Sequence, residues 1–105
     1  MIAAIKKLLG LNSQSVDYKQ MLSDGGIIVD VRTKGEFSSG HIKGSINIPL
    51  DTLSKNLSKF KNKDQSIITC CASGMRSASA KSILKSNGYT NVHNGGGWAS
   101  LKNKI

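Results

Sequence analysis

The chain has few of the residues that mark disulfide scaffolds, membrane spans or disordered tails. Only two of its 105 residues are cysteines, and because they are sequence neighbours they cannot join distant segments. Apolar residues make up 38% and charged residues 20%, which excludes a disordered chain. No apolar run approaches the roughly 20 residues that a spanning helix needs. The composition predicts one compact domain in a reducing compartment such as the cytoplasm.

Acidic residues are also scarce, mainly in the second half of the chain. Residues 1–52 hold six Lys or Arg against five Asp or Glu, whereas residues 53–105 hold nine against one. Such an excess attracts small anions or an acidic partner protein by long-range steering. The lysines are scattered singly, aromatic residues number only five, and no nucleic-acid-binding motif is recognisable. We therefore do not expect nucleic acid as a partner.

Residues 1–12 form a short amphipathic segment ahead of the domain, which we place at 13–105. Four apolar residues of this segment fall on one helical face, with Lys6 and Lys7 off it, and they are Ile2, Ile5, Leu8 and Leu9. Its charge does not precede a longer apolar region, and no small-residue cleavage site follows, unlike a secretory signal. We expect a short helix that docks on the domain rather than one that lies on a membrane.

Short β-branched runs alternate with helical patterns along the rest of the chain. Strands are expected at 27–31, 45–48, 66–70 and 90–93. Helices are expected at 16–22, 33–39, 51–60, 77–87 and 98–101. This alternation predicts an α/β fold, with a largely parallel sheet flanked by helices on both faces.

The most informative stretch is the loop after the third expected strand, which reads Cys70-Cys71-Ala72-Ser73-Gly74-Met75-Arg76-Ser77. In open α/β sheets, ligands bind beyond the carboxyl ends of the strands, where Cys71 falls. A turn of this kind curls backbone N–H groups around one point, and the helix start and Arg76 both favour negative charge there. A cysteine at that point has its thiolate stabilised, which makes it a nucleophile.

Either cysteine is a candidate for the nucleophile. Counted from Cys70, the chain contains Cys-x5-Arg, the spacing of cysteine phosphatases and a reason to consider a phosphatase or arsenate reductase. That pattern also has a glycine at +3, where this chain has Ser73. Counted from Cys71, Gly74 is at +3 and Arg76 at +5, a tighter loop that suits a transferred sulfur atom. We favour Cys71, and we interpret Cys70 as a buried inert thiol, with a resolving cysteine as the alternative.

The loop Cys71-x-x-Gly74-x-Arg76-Ser77 resembles the active-site loop of single-domain rhodaneses, the thiosulfate sulfurtransferase family. The resemblance extends to further blocks, which are Asp30-Val31-Arg32, Glu36-Phe37, Gly40-His41-Ile42-x-Gly44-Ser45-Ile46-Asn47-Ile48-Pro49, Gly88-Tyr89-x-Asn91-Val92 and Gly95-Gly96-Gly97-Trp98. These blocks stand in the family's order and cover about residues 15–101. The resemblance implies a rhodanese fold and a sulfurtransferase without a cofactor. Its cysteine takes a sulfane sulfur as a persulfide and passes it to a thiol or to cyanide.

The resemblance also implies roles for the loop residues. Cys71 attacks the outer sulfur of a small anionic donor, thiosulfate or a low-molecular-weight persulfide. The substrate-binding residues, whose amides stabilise the negative persulfide, are Ala72, Ser73, Gly74, Met75, Arg76 and Ser77. Gly74 allows a turn that a side chain would obstruct, and Arg76 binds the donor's anion or braces the loop. Ser77 is expected to cap the following helix, and Met75 to face the substrate.

Outside the loop, Asp30 and Arg32 are expected at the same sheet edge, in a supporting place beside the pocket at best. Arg32 and Glu36 are four residues apart, and we expect them to pair across a helical turn. The two histidines and the adjacent cysteines lack the spacing of metal ligands, so no metal site is expected. A sulfur carrier that is loaded by a partner protein remains the alternative to a free-standing enzyme.

Overall fold

A computed structural model describes residues 16–105 of the chain. The amphipathic segment 1–12 and the first residues of the expected domain lie outside the described residues. Within residues 16–105, no helix is long and apolar enough to cross a membrane.

The described part of the chain alternates between strands and helices, as the sequence predicts. The strands are β1 (Ile27–Asp30), β2 (Ile46–Asn47), β3 (Ile67–Cys71) and β4 (Val92–Gly97). The α-helices are α1 (Tyr18–Ser23), α2 (Lys34–Ser39), α3 (Met75–Ser86) and α4 (Trp98–Lys102). Two 3₁₀ segments, Leu50–Lys55 and Leu57–Lys59, connect β2 to β3.

The strands form one sheet in the order β2-β1-β3-β4, and every pair is parallel. In the central pair, Ile27 lies opposite Ile67 and Asp30 lies opposite Cys70. Because the strands are parallel, their carboxyl ends meet at one edge of the sheet. The segments that follow β1 and β3 therefore lie side by side, and the prediction of a parallel α/β sheet is confirmed.

Successive residues of β3 pack on opposite faces of the sheet, as the pleat of a strand requires. Cys71 belongs to a core cluster that includes Leu84 of α3. Cys70 belongs to a second cluster with Leu101 of α4, against which Tyr18 of α1 packs. Helices thus cover both faces, and the two adjacent cysteines belong to different cores.

The expected helix at 51–60 is wrong, because this stretch forms the two 3₁₀ segments. The side-chain amide of Asn56 donates to the Thr52 carbonyl at 2.8 Å. That carbonyl is the one to which the backbone N–H of Asn56 would donate in an α-helix. The Asn56 N–H instead donates to the Leu53 carbonyl at 2.9 Å, which is the tighter 3₁₀ bond.

The last strand is longer than predicted, since β4 continues through the three glycines to Gly97. A Cβ atom at Gly95 would lie 2.8 Å from Ile68 Cγ2 and 2.9 Å from the Thr69 carbonyl oxygen. Only a residue without a side chain lets β4 run this close to β3. The glycine run is therefore part of the sheet beneath the cysteine loop.

Candidate active site

Cys71 is the last residue of β3 and lies at the floor of the loop that joins β3 to α3. It is fully buried. Its Sγ accepts a hydrogen bond from the Gly74 amide at 2.9 Å and another from the Ser77 amide at 3.4 Å. The loop thus curls its backbone around the sulfur atom, as predicted for this register.

This cradle changes the acidity of the Cys71 thiol. Burial by itself raises the pKa of Cys71, but the amides of Ser77, Gly74, Ser73 and Arg76 point at the sulfur and lower it. The amides prevail, so the pKa of Cys71 falls below its ordinary value. The thiolate is thus the favoured form at a lower pH than in a free cysteine, which is the condition for a nucleophile.

Cys70 has the opposite environment one residue earlier. Burial, together with the nearby carboxylate of Asp30, raises the pKa of Cys70 to about 12. The Cys70 thiol is fully buried in an apolar cluster on the other face of the sheet. It therefore stays protonated, as the interpretation of an inert core thiol requires.

Gly74 is the residue that turns the chain into α3. Its φ of +108° lies in the left-handed region, and it is the N-cap of the helix. A Cβ atom placed there would approach nothing closer than the Gly96 Cα, at 3.4 Å. Glycine is thus required by the backbone angle rather than by an obstructed turn, which corrects the reason that we inferred from the sequence.

The predicted cap role of Ser77 is wrong, because α3 begins two residues earlier than expected. Ser77 lies within the first turn and is fully buried. Its hydroxyl shares a 2.7 Å hydrogen bond with the hydroxyl of Thr69, which also donates to the Ser77 carbonyl at 3.0 Å. Thr69 therefore fixes the turn whose amide points at Cys71 Sγ. No sequence motif indicated a role for Thr69. Its position two residues before Cys71 on a buried strand nevertheless places both side chains on the same face of the sheet.

A second support for the loop comes from β4. The side-chain amide of Asn94 donates to the Gly74 carbonyl at 3.4 Å, and its carbonyl oxygen accepts from the Gly96 amide at 2.9 Å. A Cβ atom at Gly97 would lie 2.9 Å from the Ala72 carbonyl oxygen. The glycine run and Asn94 thus hold the loop from below, and the sequence analysis did not single out Asn94.

Arg76 is held by Glu36, forty residues away. Its Nη1 and Nη2 donate to Oε1 and Oε2 at 2.7 and 2.9 Å, a two-point contact between side chains that are each 36% exposed. The Arg76 guanidinium, together with hydrogen bonds from Thr33, lowers the pKa of Glu36 to about 2. The contact with Glu36 is the one expected of a brace, and the binding of a donor anion by Arg76 stays a prediction.

The expected ion pair between Arg32 and Glu36 is wrong. Arg32 instead binds Asp30, with Nη2 to Oδ2 at 2.8 Å and Nε to Oδ1 at 3.0 Å. Its Nη1 reaches only the main-chain carbonyl of Glu36, at 3.3 Å. The carboxylate of Asp30, at the end of β1, is nearer to Arg32 than that of Glu36 and binds its guanidinium. Glu36 pairs with Arg76 instead.

The buried pair of Asp30 and Arg32 belongs to the framework. Arg32 Nη2 also donates to the Gly40 carbonyl at 2.7 Å, and its guanidinium lies 4.6 Å from the centre of the Trp98 ring. Asp30 and Arg32 are 0% and 4% exposed, so neither has surface to offer a substrate. Their hydrogen bonds tie the end of β1 to the segments beside the cysteine loop.

A cavity of about 330 Å³ opens beside Arg76. Its lining is mostly apolar carbon. The lining residues follow the ends of β1 and β2 or belong to the cysteine loop, and they are Val31, Thr33, Pro49, Leu50, Asp51 and Arg76. Met75, at the outer tip of the loop, is 80% exposed. Ala72 and Ser73 are exposed as well, so the loop presents a free outer surface above the buried sulfur.

An α/β sheet that ends in an amide-lined cysteine loop defines a class of protein, the rhodanese-fold domains. The chain matches the family model described as Rhodanese-like domain over residues 15–104, and it belongs to that family. The thiosulfate sulfurtransferase PspE of Escherichia coli K12 is 36% identical over 70 residues, covering 66% of this chain and 67% of PspE.

Two further relatives differ in how much of their own length this chain covers. A solved rhodanese with anions from E. coli has a TM-score of 0.69 and 32% identity, covering 72% of this chain and 91% of that one. The tRNA uridine(34) hydroxylase of Buchnera aphidicola is 31% identical over 93 residues, covering 81% of this chain but only 29% of the hydroxylase. The family therefore includes sulfurtransferases and domains of larger enzymes.

Proposed function

We propose that the protein is a sulfurtransferase that carries sulfur as a persulfide of Cys71. The observation that supports this most strongly is the set of amides directed at Cys71 Sγ, with Gly74 N–H at 2.9 Å. Such a cradle stabilises a thiolate before the reaction and a persulfide anion after it. A relative named as a thiosulfate sulfurtransferase and a solved rhodanese with anions agree with this role.

The chemistry needs no general base, because the loop amides lower the pKa of Cys71 and so favour the thiolate. The Cys71 thiolate attacks the outer sulfur of thiosulfate, a bond forms between Sγ and that sulfur, and sulfite leaves with the electron pair of the broken S–S bond. The negative charge then lies on the outer persulfide sulfur. Attack by cyanide or a thiolate removes that sulfur and returns the Cys71 thiolate.

The arrangement favours Cys71 over the phosphatase register at Cys70. The Cys70 thiol lies on the other face of the sheet, and burial raises its pKa to about 12. A phosphatase that used Cys70 would have neither a thiolate nor the loop amides. The same separation argues against Cys70 as a resolving cysteine.

Access to the sulfur has a structural requirement. Cys71 has no exposed surface, whereas Ala72, Ser73 and Met75 above it are exposed. The outer sulfur of a donor reaches Sγ only when the loop moves outward.

The test is to incubate the protein with thiosulfate or a low-molecular-weight persulfide and to measure its intact mass. The expected result is a gain of one sulfur atom that cyanide removes, that persists in Cys70→Ser and that is lost in Cys71→Ser. No gain with any such donor would overturn the free-standing sulfurtransferase. Loading only from a persulfide-bearing protein would identify a sulfur carrier instead.

A further inference from the structure

The guanidinium beside the cysteine loop does not carry a free positive charge. Both of its outer nitrogens are bound to the two carboxylate oxygens of Glu36, at 2.7 and 2.9 Å. This contact neutralises the cation that an anionic donor would meet first. An arriving anion must either compete with a carboxylate already in place or bind without the full charge of Arg76.

Glu36 is not free to release Arg76. Its Oε1 also accepts hydrogen bonds from the Thr33 amide at 3.0 Å and the Thr33 hydroxyl at 3.1 Å. The Thr33 hydroxyl accepts in turn from the Glu36 amide, which completes the capping box of α2. To swing away from Arg76, Glu36 would have to give up the cap of its own helix.

The cavity beside Arg76 adds a second negative group and an apolar wall. Asp51 is part of the lining together with Val31, Pro49 and Leu50, and most of the lining surface is carbon. Arg76 is thus accompanied by two acidic residues, its partner Glu36 and Asp51 of the lining, so these side chains carry no net positive charge. A dianion is therefore disfavoured at the opening of this cavity, whereas an apolar group fits against its carbon lining.

The positive charge of the whole chain does not reverse this preference. A net charge of +9 attracts all anions from a distance, and most strongly the dianions. The local preference arises from the ion pair of Arg76 and Glu36, whose atoms are 2.7 and 2.9 Å apart, so salt weakens it less than it weakens the long-range attraction. At moderate salt, the long-range attraction of anions is largely screened, so the loading rates report the local preference beside Arg76.

We propose that the donor site selects a sulfane-sulfur donor that carries an apolar carbon group and at most one negative charge, and that Glu36 sets this selectivity against dianions. This rests on the proposed sulfurtransferase function. Glu36 acts through Arg76 and is a positioning residue, and the apolar wall of Val31, Pro49 and Leu50 receives the carbon group.

Stable organic thiosulfonates are suitable probes of this site. The Cys71 thiolate attacks the terminal sulfur of R–SO₂–S⁻, a bond forms between Sγ and that sulfur, and the broken S–S bond leaves its electron pair on the sulfinate R–SO₂⁻. The product at Cys71 is the same persulfide anion that thiosulfate gives. The donors differ in charge, in the carbon group and in the leaving group, which is sulfite for thiosulfate and a sulfinate for the thiosulfonates.

The experiment compares the rate constants at which thiosulfate, methanethiosulfonate and benzenethiosulfonate load Cys71, read by intact mass at moderate salt. We expect methanethiosulfonate to load about tenfold faster than thiosulfate, since it carries one charge less. Benzenethiosulfonate is expected to load about tenfold faster again, because its ring packs on the apolar wall. Thiosulfonates also react faster with thiols in general, because they have the better leaving group. The rate constant of each donor with the protein is therefore divided by its rate constant with a small free thiol.

The matched variants remove one carboxylate at a time. Glu36→Gln keeps an oxygen for the Thr33 bonds and is expected to raise the thiosulfate rate about tenfold while leaving benzenethiosulfonate nearly unchanged. Asp24→Asn makes the same change of charge before β1, at the opposite sheet edge, and is expected to leave all three rates unchanged. Leu50→Ala is expected to slow benzenethiosulfonate alone, by about fivefold.

The outcomes separate this inference from the proposed function. If no donor loads Cys71 in the unaltered protein or in Glu36→Gln, the sulfurtransferase itself is overturned. If all donors load but thiosulfate remains the fastest after correction, the selectivity is wrong while the function stands. If Glu36→Gln speeds all three donors equally, the pair controls loop opening rather than selection, which also overturns the inference.

Discussion

The two faces of the central strand β3 divide the work of the molecule. On one face, Cys70 packs in an apolar core beside the fully buried pair of Asp30 and Arg32. On the other face, Cys71 meets the amides of the loop, which the half-exposed pair of Glu36 and Arg76 supports. A cysteine is thus a structural thiol where apolar side chains surround its sulfur atom, and a nucleophile where backbone amides point at it.

The two ion pairs differ in the same way. A buried pair contributes through the penalty for removing one partner, since the remaining charge has no water to solvate it. A half-exposed pair contributes little to folding, because water and salt screen it. The comparison teaches that the buried ion pair beside Cys70 contributes to the stability of the fold, whereas the half-exposed ion pair beside Cys71 supports the reactive loop.

The largest effect is expected from the buried pair. Asp30→Asn leaves Arg32 buried without a counter-charge and should lower the free energy of unfolding by about 3–5 kcal/mol. Denaturant unfolding measures this, with Glu36→Gln as the control that leaves the unfolding midpoint nearly unchanged. A loss below about 1 kcal/mol in Asp30→Asn would mean that the two faces do not differ in this way.

The next effect separates strain from chemistry. Gly74→Ala and Gly44→Ala both place a side chain at a positive φ, +108° and +86°, and nothing lies within 4 Å of the added Cβ at Gly44. Each change should cost about 1–2 kcal/mol of stability. Only Gly74→Ala moves an amide away from Cys71 Sγ, and it should slow sulfur loading about 100-fold. Equal rates in the two variants would show that the Gly74 amide is not needed.

A smaller effect is expected from the hydroxyl beneath the loop. Thr69→Val removes both hydrogen bonds to Ser77, so the Ser77 amide is less firmly directed at the sulfur. We expect loading at neutral pH to slow by about fivefold and the pKa read from the pH–rate profile to rise. Thr69→Ser keeps the hydroxyl and should keep that pKa. A loss of stability without a shift of the pH profile would limit Thr69 to a structural role.

The most gradual effect concerns the pH dependence of stability, for which the two cysteines have opposite signs. The raised pKa of Cys70 means that only the unfolded chain loses the proton above about pH 8.5, so stability falls with pH up to about 12. The lowered pKa of Cys71 means that only the folded chain loses it just below about pH 8.5, so stability rises with pH in that window.

Each slope is at most about 1.4 kcal/mol per pH unit, and unfolding of the wild type beside Cys70→Ser and Cys71→Ser between about pH 6 and 10 reveals them. Cys70→Ser should remove the decline at high pH, and Cys71→Ser should remove the rise below it. A decline that survives in Cys70→Ser would have to come from another group and would contradict the assignment.

The parts of the site that follow from local pattern could be predicted from the sequence. Strand alternation placed Cys70 and Cys71 on different faces, and the glycine at +3 and arginine at +5 gave the register of the loop. These inferences hold because they depend on residues within one strand and one turn, where backbone geometry leaves little choice.

The partners of the charged side chains could not be predicted in the same way. Glu36 and Arg76 are separated by forty residues, and Arg32 offered Glu36 a nearer partner by helical spacing. The fold decides between them, since the ends of β1 and β3 are neighbours and Asp30 already occupies Arg32. Asn94 and Thr69 were missed for the same reason, because their contacts depend on where α3 begins and how β4 passes the loop.

The most direct test of the account is the thiolate absorbance near 240 nm as a function of pH, measured for Cys70→Ser and Cys71→Ser with the double variant subtracted. The account predicts that Cys70→Ser, which retains Cys71, titrates at a lower pH than a free cysteine measured in the same way, because the loop amides lower the pKa of Cys71. Cys71→Ser, which retains Cys70, should show no thiolate up to pH 10, since the pKa of Cys70 is raised to about 12. Titration of both cysteines at the free value, or of Cys70 first, would contradict it.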